Sequence, residues 1–431
     1  MNNAEKTASP KKDIPLSLQI VIAVILALVV GILLGAGNPK PELIPLIDNL
    51  KIPTDLFFKA LTALAAPLIF LLLLETLIKE KISGKQGKNL LYLILQNTAV
   101  AILIGFLIAT ILSPGTLVNL GQVTDPLEAG RKRDFWEIIL HFIQHLTPEA
   151  LLKPLVENNF ISLVLIALGF GFVLRGIKIE QECLGNIDFQ PVENIIKVLS
   201  KAIERILKWL ITLLPIAVFG VVANTIATKG FAPFISFGPL IVAALLGFFL
   251  QVCYYLVRIK FQSSENPFDF LCKSSEPLTF AFSTASSALT MPIAWKTLVK
   301  EIGLKENSAS LGVYLGGNIS KDAVALFEVL FTLFVAQILG QSFTPPEYLI
   351  IFLLSIFASV CTIGVPGSSI AMMIFIFNIV FTNPTSAIIY IGLLLSIYWF
   401  LDMWATVINV MSYMTVSTLL DGKEKADELI V

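Results

Sequence analysis

The chain has 431 residues, 56% of them hydrophobic and 14% charged, against about 25% charged in soluble domains, so it carries more apolar surface than one globular core can hide. Its 30 basic and 31 acidic residues leave a net charge of −1, too little positive field to hold a nucleic-acid backbone. The composition places the chain in a lipid bilayer and excludes nucleic acid as a partner.

After the polar start MNNAEKTASPKKD comes Leu16 to Ala36, the first apolar run long enough for a helix to cross about 30 Å of hydrocarbon. No small-residue cleavage pattern follows it, so it is expected to stay rather than leave as a signal peptide. Next come Leu56 to Ile78, Leu90 to Leu112, Ile161 to Leu174 with an amphipathic lead from Phe135, Leu207 to Ile226, and Pro239 to Val257. Lys6, Lys11 and Lys12 precede the first run and Lys79, Lys81, Lys85 and Lys88 follow the second, whereas Gly37 to Pro53 carries only Lys40 and Lys51 against Glu42 and Asp48. The basic flanks predict a cytoplasmic N-terminus in the cell (inner) membrane.

Beyond Arg258 the apolar segments are broken near their middles. Asn266 to Leu298 contains STASSALTMP, Ser308 to Leu339 contains GGNISKDA, Tyr348 to Val380 contains SVCTIGVPGSS, and Ser386 to Leu419 carries Asp402. Irregular backbone at membrane depth is tolerated only where it lines a cavity or is buried in protein, and interrupted segments in one half of a carrier point to its binding site. The first and third of these segments fit two half-length helices meeting at a turn. The sequence therefore predicts an all-α polytopic membrane protein, a single domain with about eight transmembrane helices and two re-entrant helical hairpins.

An ionisable residue inside a span usually faces a cavity or a partner. Asp322 and Asp402 both lie in mostly apolar surroundings; for Asp322 a buried ion pair with Lys321 is the alternative. Asp402, Thr406 and Asn409 stand at i, i+4 and i+7, which puts a carboxylate, a hydroxyl and an amide on one helix face. Thr and Asn alone also serve as glue between membrane helices. Gly364-Val365-Pro366-Gly367-Ser368-Ser369 cannot continue a helix; it leaves amides that suit a carboxylate and carbonyls that suit Na⁺. Ser283 to Ser287 would do the same from the other hairpin.

His141 and His145, beside Trp136 and Glu137, lack the H-E-x-x-H pattern and read as part of an interfacial helix. Cys183, Cys253, Cys272 and Cys361 form no C-x-x-C pair, which argues against a disulfide framework and a zinc site. There is no Walker-type or Rossmann glycine loop. Neither an enzyme nor an ATP-driven pump is indicated, and no cofactor is called for beyond Na⁺ or H⁺ as coupling ion.

The order of pieces resembles the dicarboxylate/amino acid:cation symporter family, the glutamate-transporter homologues. The resemblance runs over almost the whole chain and is most specific at Ser286-Ser287 with Thr290 and Pro292, at Asn318 to Leu326, at Thr362 to Gly367, and at Leu401-Asp402-Met403 with Thr406 and Asn409. It implies a homotrimer working as an elevator. Residues 16–81 and 135–228 would be mainly scaffold and trimerisation helices; residues 88–113 and 236–419, with hairpins at about 266–298 and 348–380, mainly the transport domain. By the same resemblance Asp402 receives a substrate α-amino group, Asn409 and the Ser286-Ser287 tip face its α-carboxylate, Thr406 adjoins the substrate, and Val324, Val365, Gly367 and Ala405 complete the pocket.

The departures from the family pattern shape the functional expectation. Where acidic-substrate members have an Arg, this chain has Ala405; where another branch has its Arg, it has Ala285; and a family Thr reads Val324. The pocket is thus expected to reject a side-chain charge and to take a small neutral amino acid. The family's broken-span signature reads Ser320-Lys321-Asp322-Ala323-Val324, and the Asp expected four residues after Asn409 is Tyr413. The Tyr413 replacement takes the only carboxylate from one Na⁺ site, Asn97, Thr98, Ser320 and Asp322 remain as remnants of another, the carbonyls near Thr362 could serve a third, Asn409 also counts among the cation-site residues, and Lys321 can occupy a cation's place among these oxygens. The expectation is a neutral amino-acid transporter with weak or absent Na⁺ dependence, or proton coupling through Lys321. A Na⁺- or H⁺-coupled symporter of acidic amino acids or C4-dicarboxylates is the alternative, and a non-transporting receptor or structural trimer of the same fold a second one.

Overall fold

Backbone amides and carbonyls in hydrocarbon must be satisfied within their own segment. Every regular element among the described residues of the computed structural model is accordingly helical. The described residues are 16–79, 84–118, 150–157, 160–185, 189–362, 364, 367–381 and 383–422. The main helices in chain order are α1 (Leu16–Leu34), α2 (Ile52–Lys79), α3 (Gly84–Leu112), α4 (Phe160–Cys183), α5 (Gln190–Ile211), α6 (Leu214–Lys229) and α7 (Gly238–Gln262). They continue with α8 (Ser275–Thr284), α9 (Ser287–Thr297), α10 (Asp322–Leu339), α11 (Pro345–Cys361), α12 (Ser369–Val380) and α13 (Pro384–Asp421).

α1 lies along α6 through Ile20, Ala27, Val218, Val222 and Ile226. A Cβ on Gly31 would stand 2.7 Å from the Ile226 Cβ, so the small residue is what lets the two backbones approach. α2 packs on α4, α5 and α6. α3, α7 and α13 surround α10, which is buried at every position from Asp322 to Ala336. α8 and α9 pack on α13, and α11 and α12 on α10.

Two differences from the sequence expectation have local causes. The run Leu207 to Ile226 is cut between α5 and α6, because Pro215 has no N–H to give and so sits in the first turn of α6. By length and composition four described segments can cross a membrane, Gln86–Leu117, Gly238–Gln262, Glu306–Leu339 and Ile397–Asp421. That is four among the described residues where the sequence expects about eight, and Leu18–Leu34, Leu214–Lys229 and Pro345–Cys361 are shorter apolar helices. The stretch from Phe135 with His141 and His145 lies outside the described residues.

Candidate functional site

The two hairpins close on each other at their tips. α8 ends on Ala285, left-handed at φ 47, and Ser286 caps α9 by accepting from the Leu289 amide at 3.3 Å. The Ser286 hydroxyl donates to the Gly364 carbonyl at 2.8 Å, and the Ala288 amide donates to the same oxygen at 3.1 Å. Gly364 is required by this contact, because a Cβ there would lie 2.8 Å from the Ala288 nitrogen and closer still to the Ser287 hydroxyl. Gly364→Ala is therefore expected to part the tips and lower uptake into liposomes at least about tenfold, with the purified protein still folded by thermal melting; wild-type uptake in this variant would mean the tip contact is dispensable.

Behind the tips lies a small, partly open pocket lined by Ala285, Ser287, Lys321, Val324, Thr362, Gly364, Ser368, Ser369, Asp402, Thr406 and Asn409. The helical spacing on α13 does put Asp402, Thr406 and Asn409 on one face toward it. Asp402 accepts from the Gly367 amide at 3.0 Å and from the Tyr398 hydroxyl at 3.2 Å, which leaves lone pairs on both oxygens for a donor. The Thr406 hydroxyl donates back to the Asp402 carbonyl at 2.8 Å. The Asn409 Oδ1 accepts from the Ala323 amide at 3.0 Å, so its NH₂ group is the end left to donate.

Between Ser320 and Lys321 the broken span is non-helical, with Lys321 at φ −131 and ψ 61. The first amides of α10 would be orphaned by that break, and neighbours cap them: Lys321 N–H donates to Ser359 Oγ at 3.1 Å and Ala323 N–H to Asn409. Asp322, wholly buried, accepts from the Thr98, Tyr255 and Ser412 hydroxyls at 2.6 Å each and from Ser320 at 3.4 Å. Lys321 is 1% exposed; its Nζ donates to the Gly317 carbonyl and forms no ion pair with any described residue. The Lys321 to Asp322 pair considered from sequence is not made, because the break turns the two side chains to different partners.

The structure thus brings Ser287, Val324, Asp402, Thr406 and Asn409 together with Lys321 and Thr362 in one lining. Ser286 serves the tip contact and Gly367 holds Asp402. Ala405, although buried on α13, is not part of the lining, and Val365 lies outside the described residues. The Asn97 Oδ1 accepts from Arg258, which leaves it one lone pair. Tyr413 packs against Gly317, with its hydroxyl 3.4 Å from the Ser287 carbonyl.

Sequence reasoning missed Tyr398, Arg258 and Glu328. Tyr398 shares a hydrogen bond with Ser369 and stands one turn before Asp402, so the i, i+4 rule that found Thr406 applies backwards as well. Glu328 is 1% exposed and neither carboxyl oxygen has a hydrogen-bond partner; the rule for ionisable residues in spans singles it out as it did Asp322.

The profile of the sodium:dicarboxylate symporter family matches residues 16–423. A C4-dicarboxylate transport protein of Xylella fastidiosa (strain 9a5c) is 26% identical over 376 residues, covering 85% of this chain and 80% of its own length. The protein of the same name from Xylella fastidiosa (strain M12) is 25% identical over the same coverage.

Proposed function

The chain belongs to the sodium:dicarboxylate symporter family, and we propose that within it the protein carries a small acidic substrate, an acidic amino acid or a C4-dicarboxylate, coupled to Na⁺ or H⁺. A member of this family is a multi-pass membrane symporter and not an enzyme. The observation that carries the proposal is Lys321, a buried basic residue that lines the pocket, with its Nζ on the Gly317 carbonyl and no carboxylate paired to it among the described residues. A buried charge left unpaired is costly, and a substrate carboxylate supplies the partner. The relatives' printed names support this reading over a neutral substrate.

Asp402 adds a place for an ammonium in the same lining, which favours an acidic amino acid among these substrates. The Asn409 amide and the hairpin tips then face its α-carboxylate. The hairpins, α3, α7, α10 and α13 pack mainly among themselves, and α1, α2, α4, α5 and α6 among themselves; this favours a transport group moving against a scaffold. The homotrimer is carried over from the family resemblance, and the basic flanks of the first two spans favour an N-terminus in the cytoplasm, in the inner membrane. The second reading, a neutral amino acid with weak Na⁺ dependence, is favoured by Ala285 and Val324, which give the pocket two apolar walls.

Reconstituted protein separates these readings. Radiolabelled aspartate or succinate is expected to accumulate in liposomes under an inward Na⁺ or H⁺ gradient, with excess alanine and serine failing to compete. Uptake of alanine that is indifferent to both gradients and resistant to aspartate would overturn the proposal in favour of the second reading.

A further inference from the structure

Two buried charges of opposite sign lie outside the pocket's substrate contacts, and no ion pair with a described residue neutralises either. Asp322 is held by four hydroxyls alone. Arg258 on α7, 4% exposed, donates to the Asn97 Oδ1, to Gln96 Oε1 at 2.9 Å and to Gln262 Oε1 at 3.0 Å. All three acceptors are neutral amides, and the Arg258 Nε has no partner. Its guanidinium carbon lies 5.7 Å from the centroid of the Tyr254 ring, a further contact that only a cation gains from.

The two charges hang on the same two helices. On α3, consecutive residues serve them, Asn97 bonding Arg258 and Thr98 bonding Asp322. On α7, Tyr255 bonds Asp322 and Arg258 follows it by less than one turn. Opposite charges tethered to the same two helices attract across a low-dielectric interior without touching, because the interaction falls only as the inverse of distance.

The same residues fit a sodium ion poorly. A hard cation needs oxygen lone pairs about it. The Asn97 Oδ1 is engaged by Arg258, its main-chain carbonyl accepts from Gln251 Nε2 at 3.4 Å, and its Nδ2 is a buried donor without a partner. The Thr98, Tyr255 and Ser412 hydroxyls turn their hydrogens to the carboxylate. A sodium ion added here would also meet a nearby positive guanidinium.

We infer that Arg258 is the built-in countercharge of Asp322, a tethered cation that stands in for a bound ion at this carboxylate. The inference rests on the cation-coupled reading above, to which it adds that the coupling ion binds elsewhere; neither readout below involves a substrate, so its failure and that of the substrate assignment are separate.

The test is thermal melting of the purified full-length protein in NaCl titrations, with choline chloride holding ionic strength constant. Wild type and Arg258→Lys are expected to show no Na⁺-specific stabilisation that Asp322→Asn removes. Arg258→Gln is expected to gain a saturable Na⁺ stabilisation, absent again in Arg258→Gln/Asp322→Asn. In choline alone, each single substitution lowers the melting temperature and the double lowers it by less than the sum, because it removes both charges. If Arg258→Gln does not fold but the double variant does, that rescue supports the pairing equally. Additive losses, a Na⁺ response in Arg258→Gln that survives Asp322→Asn, or failure of both Arg258→Gln variants to fold while Asp322→Asn folds overturns it.

Discussion

Asp402→Asn is expected to weaken binding of an amino-acid substrate by about 1.5 to 3 kcal/mol, about 10- to 150-fold in Kd. The carboxylate accepts from Gly367 N–H at 3.0 Å and from the Tyr398 hydroxyl at 3.2 Å, and asparagine retains one acceptor oxygen for these while losing the charge that holds an ammonium. Partial retention of the protein contacts keeps the loss in this range rather than at the level of a collapsed site. Substrates without an amino group provide the internal control: succinate gains nothing from Asp402, so its affinity in the variant should stay level or improve as repulsion is removed. Ligand-induced melting shifts for aspartate, alanine and succinate measure all three. Wild-type affinity for every amino acid that the native protein binds would remove Asp402 from the amino-group role.

What was legible in the sequence divides by the kind of geometry involved. The Asp402, Thr406 and Asn409 stripe was readable because α13 runs unbroken from Pro384 to Asp421, so helical periodicity fixes the direction of each side chain. Both hairpin tips were readable because Ser-rich and Gly-Val-Pro-Gly sequences interrupt apolar runs where no helix can continue. Lys321 was placed only in part: its burial followed from its span, but at φ −131 and ψ 61 it belongs to no periodic element, and its alignment along the pocket wall could not be derived. The sequence pointed to Asn97 as a cation-site residue but not to its contact with Arg258, 161 residues away in sequence. Pairings of that range depend on how α3 and α7 pack, and no local pattern carries them. Asn409 shows the same limit on a smaller scale, since its position was clear while the use of its oxygen on the Ala323 amide depends on where the break before α10 falls.

Lys321→Met is expected to divide the substrates. Methionine has nearly the length of lysine without its charge, so the pocket keeps its shape while the ammonium that faces a substrate carboxylate is gone. Breaking a buried charge pair by removing one partner costs about 3 kcal/mol or more, so aspartate or succinate should bind about 150-fold more weakly, whereas alanine and serine, whose only carboxylate is met by Asn409 and the hairpin tips, should change by less than about threefold. Stability should not suffer in parallel, because in the protein without substrate the Nζ has the Gly317 carbonyl in place of water, and an apolar side chain of the same reach removes that desolvation. The variant therefore separates a substrate contact from a structural prop by its pattern. Loss for acidic substrates with retained melting temperature places Lys321 opposite a second carboxylate. Unchanged aspartate binding, or equal losses for aspartate and alanine, leaves the ammonium serving the broken span alone and returns the pocket, with Ala285 and Val324 on its walls, to the neutral amino-acid reading.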